Sequence, residues 1–149
     1  MAKKSVEPAL TDTNVLVDAT DVKRPRHQAA LALLEQRPGL VLSAQVAREY
    51  LAVATRPAAV NGLGLPLRAA LENLAELRRV LRLLPEEKPL LPTLLALLRE
   101  VPCEGKAIHD ALLVATMRVH RVKVLVTSNP HHFDRFRSLV DLVEPTGGG

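Results

Sequence analysis

Four oxygen-bearing side chains pose the chemical question in this sequence: Asp12, Glu49, Asp110 and Asn129. Asp12 sits in TDTNVLVDA, between two threonines, where a short apolar run ends; Asn129 follows KVLVTS. Sites in open parallel sheets form beyond the carboxyl ends of strands, so both qualify by position. Glu49 lies on the helix AQVAREYLAVATR. At about 100° per residue it stands roughly 60° from Val46, at the margin of the apolar face, from which a carboxylate looks along the sheet edge. Asp110 shares a helical stripe with Leu113, Val114 and Met117, where a bare carboxylate is costly to bury. Three carboxylates drawn to one edge repel each other unless a hard divalent cation lies between them. All-oxygen ligands of this kind suit magnesium or manganese. Such an ion can orient and deprotonate a water and offset charge on a phosphate, which is what hydrolysis of a phosphodiester requires.

Taken singly, each residue also has an ordinary structural reading. Asp12 can cap the turn that follows it. Asp110 stands early in its helix, where the dipole favours an acid. Glu49 can be a solvated helix residue, and Asn129 before Pro130 is common turn chemistry. Other catalytic signals are missing: there is no GxSxG elbow, no GxxxxGK loop and no HExxH, and Cys103 has no evident base. The 5 histidines follow no zinc spacing and are expected to be solvated or packed. Arg48, Arg56, Lys106, Arg118 and Arg121 are candidates to line a route for a phosphate backbone, Arg56 falling on nearly the same side of its helix as Glu49; solvated helix faces are the default. Tyr50, Phe133 and Phe136 are the only aromatic rings. Extensive base stacking as the means of holding a single strand is therefore disfavoured.

These residues need elements to position them. PALT reads as a strand ending at Asp12, and VLVDA as a short helical or extended segment. PRHQAALALLEQRPG is a helix from its 3.6-residue periodicity, stopped by Pro38-Gly39. LVLS is a buried strand, with Ser43 placed to cap AQVAREYLAVATR before Pro57 ends it. PLRAALENLAELRRV carries leucines down one side, and LRLLP is a strand. EKPLLPTLLALLREV has leucines on more than one face, which predicts burial against two neighbours, within the fold or across an oligomer interface. KAIHDALLVATMRVHR is a helix apolar nearly all round, KVLVT is the clearest strand, HFDRF begins a helical turn with Phe133 and Phe136 inward, and LVDLVEP closes the chain. Strands alternating with helices predict an α/β three-layer sandwich around a mainly parallel sheet of four or five short strands.

The chain has 149 residues, of which 48% are hydrophobic, enough for the core of one domain over residues 1–144 with a disordered tail at 145–149. A formal charge of +4 favours an anionic partner without requiring one. A single cysteine excludes a disulfide framework. Neither a signal peptide nor an apolar span of about 18 residues is evident, so a cytoplasmic protein outside the membrane is expected.

In order and spacing, DTNVLV, SAQVAREYLAVATRP and HDALLVATMRVHRVKVLVTSNPHHF resemble a PIN domain, and in particular the VapC-type toxins of prokaryotic toxin–antitoxin pairs. The resemblance covers nearly the whole chain. It implies a Rossmann-like α/β/α fold, magnesium- or manganese-dependent ribonuclease activity, a homodimer and a small antitoxin lying in a groove between helices. The family's first Asp falls on Asp12, its helix Glu on Glu49 and its third acid on Asp110. Its fourth position, often Asp, is Asn129, and the acid often found just before the following Phe is replaced by His132; Asp134 is a candidate substitute. A neutral amide oxygen lowers the negative charge around the ion, so one metal is held more firmly than a second. By the resemblance, Asp12 and Asp110 bind the ion, Glu49 binds it or positions the attacking water, and Asn129 completes the shell directly or through water. Thr11, Thr13 and Thr127 hold the acids or contact a phosphate, and Asn14 fixes the turn. Two further readings stand beside the nuclease: a PIN-like module that binds RNA or protein without cutting, and a fold in which the acids are only caps.

Overall fold

The computed structural model describes residues 6–146. Five short strands, β1 (Ala9–Thr11), β2 (Leu40–Ser43), β3 (Arg82–Leu84), β4 (Val124–Val126) and β5 (Asp141–Val143), form one sheet in the order β3-β2-β1-β4-β5. Every pairing is parallel. Such a sheet must be covered on both faces, and the sequence meets that demand with nearly continuous apolar strands: β1, β2 and β4 are buried along their whole length. The helices are α1 (Thr13–Thr20), α2 (His27–Gln36), α3 (Ala44–Thr55), α4 (Leu67–Leu77), α5 (Leu90–Glu100) and α6 (Ala107–His120). This is the predicted α/β sandwich with five strands, and VLVDA is helical. Residues 147–149 of the expected tail lie outside the described residues.

Strand order fixes where a ligand can go. From β1 the chain winds outward through β2 to β3, then returns to the other side of β1 for β4 and β5. The direction of winding reverses between β1 and β4, and a crevice opens beyond the carboxyl ends of strands at such a switch point. Thr11 is in register with Val126, so Asp12 and Thr127 emerge from the sheet side by side.

Packing explains the remaining elements. Tyr50 on α3 is fully buried, and its hydroxyl stands 2.8 Å from Thr20 Oγ1 on α1. Helix α6 buries Ala111, Leu113, Val114, Ala115 and Met117, as its all-round apolar pattern predicts. Helix α5 is not covered on both sides within the chain: only Leu97 is fully enclosed, while Leu91 is 62% and Leu95 46% exposed, which leaves the oligomer-interface alternative. On α4, Leu67 and Leu71 likewise face solvent at one end of the leucine stripe. Phe133 and Phe136 anchor the 3₁₀ turn Pro130–Phe136 in the core, as expected of HFDRF. Gly39, at the entry to β2, has φ +77, and a β-carbon there would come within 2.7 Å of the Glu7 carbonyl oxygen and of the Val6 side chain. Only glycine takes this conformation and this approach without strain. No helix among the described residues is long and apolar enough to cross a membrane.

Candidate active site

Ser43 and Asp12 occupy equivalent places, each the residue between a strand and the helix after it. Ser43 behaves as a cap: its hydroxyl accepts from the Val46 N–H three residues on, at 3.2 Å. Asp12 does not. Its Oδ1 accepts from the adjacent Thr13 N–H at 2.7 Å, and its Oδ2 accepts from the Thr127 hydroxyl at 2.9 Å, across the sheet on the neighbouring strand's end. The carboxylate is thereby held at the switch point, only 9% exposed.

Glu49 is held on both oxygens. Oε2 accepts from Thr13 Oγ1 at 2.8 Å and Oε1 from Gln45 Nε2 at 3.0 Å. The same Gln45 amide donates to the His109 carbonyl at 2.9 Å, tying α3 to the first turn of α6, where Asp110 stands. Because Nε2 serves two acceptors, Gln45 Oε1 is left buried and without a partner. Asp110 is half-buried and, among the described residues, forms neither an ion pair nor a side-chain hydrogen bond.

Asp12, Glu49 and Asp110 line one open cleft of about 660 Å³ together with Gln45, Lys106, His109, His131, His132 and Arg135. Their charges act on one another. Burial pushes the Asp12 carboxyl from 3.8 up to about 6, the Thr127 and Thr13 hydrogen bonds oppose the rise, and the charges of Asp110 and Glu49 add to it. Burial also raises Asp110, as does Glu49, while His132, Arg135 and His109 pull it down. Three acids, mutually repelling and only partly neutralised, are a donor set whose chemistry fits a hard divalent cation. Among the described residues no three such side chains stand close enough together to hold an ion as they are placed.

The other predicted residues fall into two groups. Thr13 and Thr127 hold the acids, and Asn14 does fix a turn: its amide contacts Thr127 Oγ1 at 3.3 Å and its Oδ1 accepts from the Ser128 N–H at 3.0 Å. Thr11 is buried beneath the site with its hydroxyl unpartnered. Asn129 is exposed and outside the cleft lining; its main-chain N–H donates to Thr127 Oγ1, and its amide meets His132 Nε2 at 3.1 Å. Arg56 also lies outside the lining; it caps the far end of α3, two turns or about 10 Å along the helix from Glu49. Asp134 is exposed and bonded to Arg137 at 2.8 Å. Of the five basic candidates only Lys106 reaches the cleft; Arg118 is engaged by Glu100 at 3.0 Å.

Sequence reasoning assigned no role to Gln45, although Gln45 and Glu49 are four apart on one helix, the spacing at which such side chains meet. It also passed over Ser128, whose three polar groups are all used: the N–H to Asn14, the hydroxyl to the buried Asp18 at 2.8 Å, and the carbonyl accepting from Arg26. These partners are distant in sequence and leave no local signal.

The fold recurs in known structures. The chain aligns over 91% of its length with 97% of a chain from the Rickettsia felis VapBC2 complex bound to a promoter DNA fragment, at a TM-score of 0.67 and 17% identity. It covers 96% of Mycobacterium tuberculosis VapC20, a sarcin-ricin loop cleaving toxin, with 89% of its own residues, a TM-score of 0.65 and 18% identity. For FitAcB from Neisseria gonorrhoeae the figures are 92% of this chain, 97% of that one, 0.67 and 19%. At such identities the likeness is one of fold. No curated protein sequence matches. The PIN domain model matches residues 9–139, from the first residue of β1 to beyond the 3₁₀ turn at the cleft, and by that match the chain belongs to the PIN domain family.

Proposed function

We propose that this protein is a metal-dependent endoribonuclease, the toxin of a toxin–antitoxin pair. The observation that carries the reading is Asp12, an acid at the switch point that lines one cleft with two further acids and whose carboxyl is raised by burial first and by the charges of Asp110 and Glu49 besides. Asp12 and Asp110 would hold a magnesium or manganese ion, with Glu49 as a third ligand or as the group that positions water, and Asn129 reaching the shell through water. When bound, the ion supplies Lewis acidity, easing deprotonation of a water and offsetting charge on the phosphate. The chain's own contribution is orientation. The Thr127 hydroxyl and the Thr13 N–H fix Asp12; Thr13 Oγ1 and Gln45 fix Glu49. Hydrolysis adds a water oxygen to phosphorus, breaks one P–O ester bond, and moves a proton off the water and one onto the leaving oxygen. A Glu49 carboxylate held by two donors is placed to take the first, and solvent at the open cleft mouth supplies the second.

The membership in the PIN family and the fold shared with toxin components support the toxin reading; the similar structures include a toxin–antitoxin complex from Klebsiella pneumoniae, 24% identical over 93% of this chain and 98% of that one. The exposed leucines of α4 and α5 offer apolar surface for an antitoxin or a second copy. The test is cleavage of labelled RNA with magnesium, with manganese and with chelator, for wild type and Asp12→Asn. Cleavage that needs the ion and is lost in Asp12→Asn supports the proposal. RNA binding with no cleavage under any condition would replace it with the non-cutting module.

A further inference from the structure

The acids share the cleft with cations that come from two separate elements. Lys106 stands at the N-terminal end of α6 and Arg135 on the 3₁₀ turn Pro130–Phe136, and both line the cleft. The basic residues of this turn are not equivalent. His131 stands 3.5 Å from Asp134, Arg137 pairs with the same acid, and the His132 ring meets the Asn129 amide. Arg135 alone among them has no ion pair and no side-chain hydrogen bond among the described residues, and Lys106 has none either. The anchoring of Phe133 and Phe136 in the core fixes the turn that carries Arg135, so the guanidinium is presented at the cleft from a rigid base rather than from a loose loop. It is near enough to the acids to lower the pKa of Asp110.

Free cations beside an acidic floor cannot be there to neutralise it by contact, since neither reaches a carboxylate. They suit a ligand that brings its own negative charge a short distance from the acids. A phosphodiester strand does this, because the phosphates on either side of one held at the acids also need partners. Arg offers a planar fork for phosphate oxygens and Lys a mobile point charge. We propose that Arg135 and Lys106 form a two-point clamp for the sugar–phosphate backbone of a single strand, gripping a phosphate next to the one at the acids. The clamp rests on the nuclease reading for its choice of ligand, and it reads no base: it positions the strand and leaves sequence choice to other contacts.

The experiment measures binding, not cleavage. Fluorescence anisotropy of a labelled short single-stranded RNA, and of DNA of the same sequence, is followed against salt concentration with chelator present, for wild type, Arg135→Ala, Lys106→Ala and Arg135→Lys. Each alanine variant is expected to weaken binding several-fold at low salt, equally for unrelated RNA sequences, and to reduce the slope of log K against log salt by about 0.7, one phosphate contact on a single strand. Arg135→Lys should keep the slope. Thermal stability should be unchanged in all of them, since these side chains are exposed and unpaired. Slopes equal to wild type in both alanine variants, or no binding of either nucleic acid by wild type, would overturn the clamp. Equal losses on RNA and DNA place the recognition at phosphate alone; a loss confined to DNA would also overturn it. Failure of the nuclease reading is separately visible: RNA left intact with magnesium or manganese while the salt slopes still depend on Arg135 and Lys106.

Discussion

The junctions β1–α1 and β2–α3 start from the same local problem and solve it differently. Each must satisfy the free N–H groups at the start of a helix, and each puts a residue suited to capping there. Ser43 spends its hydroxyl on its own helix, at Val46. Asp12 reaches only the nearest N–H and turns its second oxygen to Thr127 on another strand. The first arrangement stabilises a helix; the second holds a buried acid against its preference for water, with two more acids nearby. A group kept at such a cost, at the point where strand order reverses, is what the proposed metal site requires.

The largest effect should come from Asp12→Asn. RNA cleavage is expected to fall by on the order of a hundredfold or more, since a metal ligand is worth several kcal/mol of charge stabilisation. The metal-free protein should behave oppositely. With a folded-state pKa near 6 against 3.8 ordinarily, the native state holds the Asp12 proton more tightly than the unfolded state does. Stability from this group is thus full below the unfolded value and lost as pH rises through about 6, a change of at most about 3 kcal/mol. Wild type without metal should therefore lose stability between about pH 4 and 6, and Asp12→Asn should flatten that slope in pH-resolved denaturant melts. Ordinary capping alone predicts no change for Asp12→Asn, since Asn caps as well as Asp, and a loss of about 1 kcal/mol for Asp12→Ala.

Next in size is Gln45→Leu, which releases Glu49 and cuts its link to the His109 carbonyl. A tenfold to hundredfold loss of activity is expected, the usual range for residues that orient a metal ligand. Manganese should still raise the melting temperature, because Asp12 and Asp110 remain. Thr127→Val should cost about 1–3 kcal/mol, since it leaves Asp12, the Asn14 amide and the Asn129 N–H short of a partner, and it should move the pH slope of Asp12 upward. Smallest is Ser43→Ala, at about 1 kcal/mol in melts, with the manganese response unchanged. If Ser43→Ala abolished that response, the contrast between the junctions would fail.

Asp12, Glu49 and Asp110 were legible because each sits at a position that local rules locate: a strand end, a helix margin, an acid on an apolar stripe. Ser43 was legible for the same reason, since capping is settled within four residues. What could not be read depends on chains meeting far from each other in sequence. Helical angle puts Arg56 on nearly the same side as Glu49, but two turns of rise, about 10 Å, separate them along the axis. Arg135 came instead from a turn whose direction is set by how Phe133 and Phe136 enter the core. The exposed ends of α4 and α5 are similar: leucine periodicity says which face is apolar, not whether this chain covers it.

Gly39 has a consequence for genetics. Every missense change at its codon adds at least a β-carbon, which would strike the chain entering β1. On the function proposed above, a selection for survivors of the expressed gene should therefore return Gly39 alleles alongside those of the three acids, although this glycine touches nothing in the cleft. The two classes would part on cooling: alleles that damage folding recover part of their effect at low temperature, and alleles that remove a carboxylate do not.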